Sequence, residues 1–387
     1  MELLHHLDNQ TLTINLPERI DTSNVSLFDN EIEAILANYT PESIILDADN
    51  LTYISSVGLR CILAIKKQYN DTRISECQKD VYEIFKMTGF TEMMDISKAL
   101  RVISIEGAEL IGKGANGRVY RISDDTIVKS FYKGNPISDI ERERNLAREA
   151  FLLGIPTAIS YDVVRIKEEK YGAVYELINA DSLLKTLQKN MQKWDIYVEM
   201  YVKLLQTINS KEVKDNSIPS IKIDLQRRVN DVKGALDEKR FAKLQSLIDT
   251  IPESNHLVHG DCHFKNIFMV NNEPIIIDMD TMGKGHPIYE VAALYRTYIA
   301  YEENKPGDSL AFLGMEGELT RKLFMDAFNL LFKDYANKDE ILEKVKLLGN
   351  LFLLNHIYRK HTEFTDRIQK SIEVINPLID KVNDLTY

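Results

Sequence analysis

Two short segments in the last third of the chain carry polar side chains at a spacing suited to phosphate chemistry. Residues 259–266 read His-Gly-Asp-Cys-His-Phe-Lys-Asn, and residues 275–280 read Ile-Ile-Ile-Asp-Met-Asp. Asp261 can accept a proton from an attacking hydroxyl, while Asn266 and Asp278 offer the oxygen ligands that Mg²⁺ prefers when it bridges phosphates. Together these segments predict a magnesium–nucleotide site with Asp261 as its catalytic base.

A glycine-rich stretch lies upstream, between two segments that resemble strands. Gly112, Gly114 and Gly117 follow an apolar run that ends at Ile111, and a second run begins at Val119. Glycines allow backbone N–H groups to approach phosphates closely. The order of strand, glycine loop and strand favours a phosphate-binding hairpin, because a dinucleotide-binding glycine motif leads into a helix instead.

A lysine on the next strand and a glutamate on the following helix form a candidate ion pair. The strand predicted over 126–131 contains Lys129, and the helix predicted over 137–153 presents Glu143 on its apolar face. A glutamate on an inward face needs a cationic partner, so we predict that Glu143 pairs with Lys129 and that Lys129 contacts the nucleotide phosphates. Glu149 is the alternative acid. Two other lysines are alternatives to Lys129: Lys113 and Lys133.

The composition describes a globular chain that is large enough for two or three domains. It has 387 residues, of which 44% are hydrophobic and 28% charged, with a formal net charge of -11. That charge argues against a general nucleic-acid binder. The three cysteines have no metal-binding spacing and fit a reducing compartment. The sequence shows no signal peptide and no apolar run of membrane-spanning length, so we expect a cytoplasmic protein.

The first hundred residues alternate between predicted strands and helices. Residues 10–16 alternate as a strand, 23–38 have helical spacing, and 43–47 read as a buried strand that ends in an acid. A further helix begins near Ser55-Ser56-Val57-Gly58-Leu59, and another is predicted over 80–87. This order and these residues resemble an α/β STAS domain of the anti-sigma factor antagonist type, over residues 1–103.

The STAS resemblance implies a regulatory role through a phosphorylated serine, which corresponds to Ser56. A phosphate adds roughly -1.5 to -2 charges at a helix N-terminus that favours anions, and it would change the binding of a protein partner. The family usually has Asp where this chain has Ser55. The alternative is that Ser55 and Ser56 only cap the helix, as serines often do at this position.

Residues 104–387 resemble the aminoglycoside phosphotransferase and choline kinase superfamily. The signature His-Gly-Asp-x-His-x-x-Asn, followed by Ile-Asp-x-Asp, is intact in this chain. The resemblance implies an α+β bilobal protein-kinase-like fold, with an N-lobe of about 104–180 and a C-lobe of about 181–387. It also implies ATP and Mg²⁺ as cofactors. The backbone around Glu176 and Ile178 would then bind adenine at the interlobe hinge.

The same resemblance assigns roles within the phosphotransferase signature. Asp261 becomes the catalytic base, Asn266 and Asp278 bind Mg²⁺, and Lys129 orients ATP. Asp280 either supports the metal site or caps the following turn. One departure is Glu290, which stands where the family usually places an aspartate that supports the catalytic loop.

Three functions remain open at this stage. The first is a phosphotransferase acting on a small-molecule hydroxyl, with an amine- or sugar-type acceptor that acids such as Asp181, Asp280 and Glu290 would attract. The second is a signalling protein kinase that phosphorylates Ser56 or a partner, and the third is a nucleotide-sensing binding module. The presence of Asp261, Asn266, Asp278 and Lys129 argues against the third.

Overall fold

The computed structural model describes residues 1–8, 10–114, 116–167, 170–214 and 217–387. Within these residues the chain divides into two compact units, Met1–Ile103 and Ser104–Tyr387. No helix in the described part of the chain combines the length and the apolar character needed to cross a bilayer.

Strands and helices alternate along the first unit. Its elements are, in chain order, β1 (His5–Asp8), β2 (Thr11–Asn15), β3 (Arg19–Ile20), α1 (Val25–Ala37), β4 (Ser43–Asp47), β5 (Tyr53–Ile54), α2 (Ser56–Gln68), β6 (Thr72–Cys77), α3 (Lys79–Met87), α4 (Phe90–Met93), β7 (Ile96–Lys98) and β8 (Arg101–Val102). The main sheet has the order β1-β2-β4-β6-β7; β1 is antiparallel to β2, and the other pairs are parallel.

The helices of this unit bury apolar side chains against the sheet. Phe28 of α1, Ile62 of α2 and Phe85 of α3 are fully buried in one core. The start of α2 lies close to β3, because a Cβ on Gly58 would come within 2.7 Å of the Ile20 side chain. A larger residue would therefore force its neighbours to move, and glycine permits this close approach of α2 to β3.

An antiparallel sheet and one helix form the first part of the second unit. The elements are β9 (Glu109–Lys113), β10 (Gly117–Arg121), β11 (Thr126–Phe131), α5 (Ile137–Leu152), β12 (Ser160–Arg165) and β13 (Tyr171–Glu176). Within this unit the strands lie in the order β12-β13-β11-β10-β9, with every neighbouring pair antiparallel. Lys129 therefore lies on the central strand, and α5 buries Glu143 together with Leu146 and Ala147.

The rest of the second unit is mainly helical. Its elements are α6 (Leu183–Lys189), α7 (Trp194–Asn209), α8 (Ile221–Asp231), α9 (Glu238–Asp249), β14 (Leu257–Val258), β15 (Ile267–Val270), β16 (Glu273–Ile276), β17 (Gly283–Lys284), α10 (Ile288–Tyr295), α11 (Tyr301–Asn304), α12 (Asp308–Leu313), α13 (Gly317–Leu331), α14 (Lys338–Lys360) and α15 (Thr365–Lys381). A π-helical turn, Arg296–Ala300, joins α10 to α11. Two antiparallel pairs, β14 with β17 and β15 with β16, hold the segments that flank residues 259–266.

Local sequence signals account for several element boundaries. Thr126–Phe131 is a strand over the range that the sequence predicts, and the predicted helix over 137–153 ends at Leu152. Gly154 follows with φ of +76°, the left-handed conformation that ends many helices. The strand β9 continues past its predicted end at Ile111, because its backbone goes on pairing with β10 as far as Lys113.

Candidate active site

The loop between β14 and β15 carries Asp261, the predicted catalytic base. The Oδ1 atom of Asp261 accepts a hydrogen bond from Arg296 Nη2 at 3.0 Å, and its Oδ2 lies 3.5 Å from His263 Nε2. Burial lowers the pKa of His263, so this imidazole is neutral near pH 7. Arg296 is thus the cation that contacts Asp261. The Asp261 side chain remains 24% exposed.

Glu290 supports the beginning of this loop. Its Oε2 accepts a hydrogen bond from His259 N at 2.6 Å, and its Oε1 accepts one from Gly260 N at 3.2 Å. Gly260 has φ of +78°, and a Cβ there would lie 3.0 Å from the Thr281 carbonyl oxygen. Burial raises the pKa of Glu290 to about 7, although the backbone hydrogen bonds oppose that rise. Glu290, which is longer than the aspartate usual in the family, therefore still reaches the backbone of this loop.

Two buried tyrosines hold the remainder of the loop. The hydroxyl of Tyr201 donates to the Cys262 carbonyl oxygen at 2.6 Å, and that of Tyr298 accepts from Phe264 N at 2.9 Å. Both tyrosine side chains are fully buried. The backbone on the C-terminal side of Asp261 is therefore fixed by the helical core, which limits the positions available to its carboxylate.

Asn266 directly precedes β15 and Asp278 follows β16, so both lie at the open end of the β15–β16 hairpin. Asn266 Nδ2 donates to the Asp261 carbonyl oxygen at 3.1 Å, and Ile277 N donates to the Asn266 carbonyl oxygen at 2.9 Å. Asp278 has φ of +70°, a left-handed conformation that costs a non-glycine residue about 1–3 kcal/mol and is concentrated at functional sites. The structure thus brings the three predicted catalytic and metal-binding residues to one edge of the hairpin.

Lys129 contacts both Glu143 and Asp278. Its Nζ lies 2.7 Å from Glu143 Oε1 and 3.1 Å from Asp278 Oδ1. Burial alone would lower the pKa of Lys129, but Asp278 and Glu143 together hold it above its ordinary value. Burial raises the pKa of Glu143, and Lys129 opposes that rise. The sequence-predicted partners are therefore in direct contact, and Asp278 joins them as a third member.

Asp280 adds a further carboxylate to this cluster. Its Oδ2 accepts from Asn116 Nδ2 at 3.4 Å, and its carbonyl oxygen accepts from Arg142 Nη1 at 3.2 Å. Glu143, Asp278 and Asp280 each offer an oxygen within 4.8 Å of the others. Burial, together with the neighbouring charges of Asp278 and Glu143, raises the pKa of Asp280 to about 7. Negative charge is therefore concentrated beside Asp278.

The three predicted glycines occupy different parts of the β9–β10 hairpin. Gly112 lies within β9, Gly117 begins β10, and Gly114 N donates to the Gly117 carbonyl oxygen at 2.9 Å. A Cβ on Gly117 would lie 2.3 Å from the Ser130 carbonyl oxygen, whereas one on Gly114 would meet no atom of the described residues within 4 Å. Gly117 is therefore required by strand packing, whereas the described residues place no such demand on Gly114. Ala115 lies outside the described residues.

Glu176 and Ile178 lie at the junction between the sheet and the helical part. Glu176 is the last residue of β13, and Ile178 follows it in the connection to α6. Leu177 N donates to the Asp125 carbonyl oxygen at 2.7 Å, and Ala180 N donates to the Ile178 carbonyl oxygen at 3.0 Å. These hydrogen bonds fix the path of the predicted hinge.

Two residues of this site were not identified from the sequence. Tyr175 donates its hydroxyl to Glu143 Oε1 at 3.3 Å, and Arg296 contacts Asp261 as described above. Nothing in the strand pattern of β13 distinguishes Tyr175 from an ordinary packing residue. Arg296 had a usable signal, because it directly follows the apolar run Ala292–Tyr295, where a charge needs a partner.

In the first unit, Ser55 and Ser56 have different environments. Ser55 is the N-cap of α2 and accepts a hydrogen bond from Gly58 N at 3.4 Å. Ser56 is the first helical residue and is exposed. The capping role therefore falls to Ser55, and the hydroxyl of Ser56 remains accessible within this unit.

Comparisons with known proteins identify both parts of the chain. Family models match the STAS domain over residues 4–102 and the phosphotransferase enzyme family over residues 107–318. A comparison with curated proteins gave no match.

Solved structures of antibiotic kinases have a similar fold. A thermostable mutant of aminoglycoside phosphotransferase APH(4)-Ia, in ternary complex with ADP and hygromycin B, is 12% identical with a TM-score of 0.50, over 71% of this chain and 96% of that chain. ADP-bound APH(2'')-Ib is 14% identical with a TM-score of 0.48, and the match covers 77% of this chain and 98% of that chain. Amicoumacin kinase hAmiN, in complex with AMP-PNP, Ca²⁺ and Ami, is 16% identical with a TM-score of 0.47, and the match covers 84% of this chain and 97% of that chain.

The fold class predicted from the sequence is confirmed as an α/β STAS domain followed by an α+β kinase-like domain. At 12% identity the APH(4)-Ia structure establishes the fold alone, and the family rests on the sequence model. Because that model matches more than half of the chain, the chain belongs to the phosphotransferase enzyme family and carries an STAS domain ahead of its phosphotransferase domain.

Proposed function

We propose that this protein transfers the γ-phosphoryl group of ATP to a hydroxyl of a small molecule, with Mg²⁺ as cofactor. The observation that carries the proposal is the convergence of Asp261, Asn266 and Asp278 at one hairpin edge, with Lys129 Nζ 3.1 Å from Asp278. We assign the activity to residues 104–387, with an N-lobe of about 104–180 and a C-lobe of about 181–387.

Asp261 acts as the catalytic base in this proposal. The acceptor hydroxyl donates a hydrogen bond to the Asp261 carboxylate while its oxygen forms a bond to the γ-phosphorus of ATP. The bond from that phosphorus to the β,γ-bridging oxygen breaks, ADP leaves, and the hydroxyl proton passes through Asp261 to solvent. A positioned general base contributes about 10²–10⁴-fold to such reactions.

The sheet supplies the nucleotide-binding groups. Lys129 grips the α- and β-phosphates, as the corresponding lysine does in kinases, and Glu143 holds it in place. The backbone around Gly114 covers the phosphates, because a glycine without a side chain lets its N–H group approach a phosphate closely. The backbone of Glu176 and Ile178 binds adenine at the hinge.

The residues beside Asp278 suit a divalent cation. Asp278 and Asp280 are hard oxygen donors, and burial together with neighbouring acids raises the pKa of Asp280 to about 7, which marks a local excess of negative charge. The amide nitrogen of Asn266 is engaged with Asp261, so its Oδ1 is the atom left to face a metal. Asn266 and Asp278 would hold Mg²⁺, which when bound neutralises charge on the transferred phosphoryl group.

The acceptor is an amine- or sugar-type small molecule in this proposal, although two of the acids suggested by the sequence have other partners. Asp181 forms an ion pair with Lys189, and Glu290 is buried beneath the catalytic loop. Burial therefore removes Glu290 as a group that could attract an ammonium, whereas the partly exposed Asp181 and Asp280 remain candidates.

The proposal is tested by following transfer from [γ-³²P]ATP in Mg²⁺ to a panel of aminoglycosides, amino alcohols and sugars. We expect transfer by the wild-type protein and its loss, by at least about 10²-fold, in Asp261→Asn. Asp124→Asn is the matched control, because Asp124 is fully exposed on a turn of the same unit. Unchanged transfer in Asp261→Asn would contradict the assignment, and nucleotide binding without any transfer would favour a sensing module.

A second candidate function is favoured by the exposed hydroxyl of Ser56 at the start of α2. Under this hypothesis the STAS domain regulates the protein through phosphorylation of Ser56, by this kinase or another, and binds a protein partner. Mass spectrometry after incubation with ATP and Mg²⁺ would detect a phosphate on Ser56 and its loss in Ser56→Ala. Phosphate on another residue, with Ser56 unmodified, would exclude Ser56 as the acceptor of this kinase.

A further inference from the structure

One arginine connects the catalytic aspartate to the helical core. Arg296 is the first residue of the π-helical turn, and its Nη2 donates to Asp261 Oδ1 at 3.0 Å. Its side chain is 17% exposed, so most of its length is packed in the protein. The guanidinium is therefore held by its surroundings, unlike an arginine on a mobile surface that meets a carboxylate by chance.

The helical irregularity at this position is a second, independent observation. Single π turns inside helices are uncommon and occur frequently at functional sites, where they change the direction in which side chains project. Here the turn provides two groups that contact the catalytic loop: Arg296 bonds the Asp261 carboxylate, and Tyr298 accepts from Phe264 N at 2.9 Å. The same short segment thus fixes both the backbone and the reacting side chain of the loop.

The neighbouring histidine does not perform the same task. His263 Nε2 lies 3.5 Å from Asp261 Oδ2, which is longer than an ordinary charge-assisted hydrogen bond, and burial lowers the pKa of His263. Arg296 therefore provides the positive charge that faces Asp261 from the helical core. Because Arg296 engages Oδ1, the other oxygen, Oδ2, is left to receive the acceptor hydroxyl.

We propose that Arg296 is a positioning residue for phosphoryl transfer, which fixes the Asp261 carboxylate so that Oδ2 is directed at the acceptor. This inference rests on the proposed function. The last torsion of an aspartate side chain is only weakly restricted unless a partner holds the carboxylate. Removing the guanidinium would allow that rotation, and misplacement of a reacting group by about 1 Å can lower a rate by about 10²-fold.

The test compares Arg296→Met and Arg296→Lys in steady-state transfer from ATP to the aminoglycosides, amino alcohols and sugars of the panel described above. We expect kcat to fall about 10- to 100-fold in Arg296→Met with the KM for ATP unchanged. Arg296→Lys keeps a cation and should recover part of the lost kcat. Arg321→Met is the matched control, because it removes a guanidinium–carboxylate contact of 2.7 Å to the exposed acid Glu303.

Each outcome separates this inference from the function on which it rests. The positioning role would be overturned by an unchanged kcat in Arg296→Met, or by equal losses of kcat in Arg296→Met and Arg296→Lys. The proposed function would still stand in that case, provided that the wild-type protein transfers phosphate and Asp261→Asn does not. Transfer that persists in Asp261→Asn would instead overturn the proposed function. If Arg296→Met does not fold, Arg296→Lys and Arg296→Gln supply the same comparison.

Discussion

Replacement of Lys129 by methionine tests the electrostatic account of the site without depending on any substrate. In the wild-type protein, Lys129 Nζ lies 2.7 Å from Glu143 Oε1 and 3.1 Å from Asp278 Oδ1. The variant removes this cation and leaves the two acids facing each other. At an effective dielectric constant of about 20, the attraction across the shorter contact is about 6 kcal/mol before desolvation is subtracted. Loss of one partner from a buried pair typically costs about 3–5 kcal/mol. The glutamate can limit this loss by taking up a proton.

This protonation makes the expected loss depend on pH. Burial raises the pKa of Glu143 above its ordinary value of 4.5, and Lys129 opposes that rise. An acid whose folded pKa exceeds its unfolded pKa binds more protons when folded, so its contribution to stability is lost as pH rises from the unfolded pKa through the folded one. Without Lys129 the folded pKa rises further. The destabilisation by Lys129→Met should therefore be larger at pH 8 than at pH 5.

The single tryptophan allows the stability of the second unit to be measured by fluorescence during urea unfolding. Trp194 lies at the start of α7 with 8% of its surface exposed, so its fluorescence during urea unfolding reports on the phosphotransferase domain. We expect Lys129→Met to lower the free energy of unfolding by about 2–4 kcal/mol at pH 8 and by less at pH 5. In a double-mutant cycle, Lys129→Met with Glu143→Gln should recover at least about 1 kcal/mol. Equal losses at both pH values, with no coupling, would refute the reasoning.

Three further predictions concern the glycine hairpin and the support of the catalytic loop. Gly117→Ala should destabilise the second unit by about 1–3 kcal/mol, because its Cβ would lie 2.3 Å from the Ser130 carbonyl oxygen, and an unchanged urea midpoint would contradict this packing. Gly114→Ala should leave stability within about 0.5 kcal/mol while raising the KM for ATP, so a normal KM would exclude a phosphate-binding role there. Glu290→Gln should remove a pH dependence of the free energy of unfolding. Burial raises the pKa of the wild-type carboxyl from 4.5 to about 7. As pH rises between these two values, the wild-type protein should therefore lose about 3 kcal/mol of stability relative to the variant. Parallel stability profiles for the two proteins across that pH range would show that Glu290 does not titrate as described.

The sequence predicted local features of the site because each has a short-range signal. The predicted strand over 126–131 places Lys129 on β11, and helical spacing places Glu143 on the inward face of α5. The contact between these two residues was predicted from the need of a buried glutamate for a cation. The roles of the site residues in binding nucleotide and metal stay predictions until they are measured.

The contacts that the sequence did not predict depend on long-range packing. Asp278 reaches Lys129 across 149 positions in the chain, and no periodic pattern encodes that separation. Arg296 reaches Asp261 from a π-helical turn, which a pattern of 3.6 residues per turn does not anticipate. The hydrogen bond from Tyr175 to Glu143 joins a strand to a helix at positions with no distinctive composition.

Calorimetric titration of ATP, with and without Mg²⁺, tests the central claim most directly, namely that oxygens beside Asp278 bind a magnesium–nucleotide complex. We expect Mg²⁺ to tighten ATP binding by the wild-type protein about 10-fold or more, which corresponds to about 1.4 kcal/mol. Asp278→Asn should lose this dependence, while Asp124→Asn, a change at a fully exposed acid, should retain it. ATP affinity that is the same with and without Mg²⁺ in the wild-type protein, or a full Mg²⁺ effect in Asp278→Asn, would contradict the account.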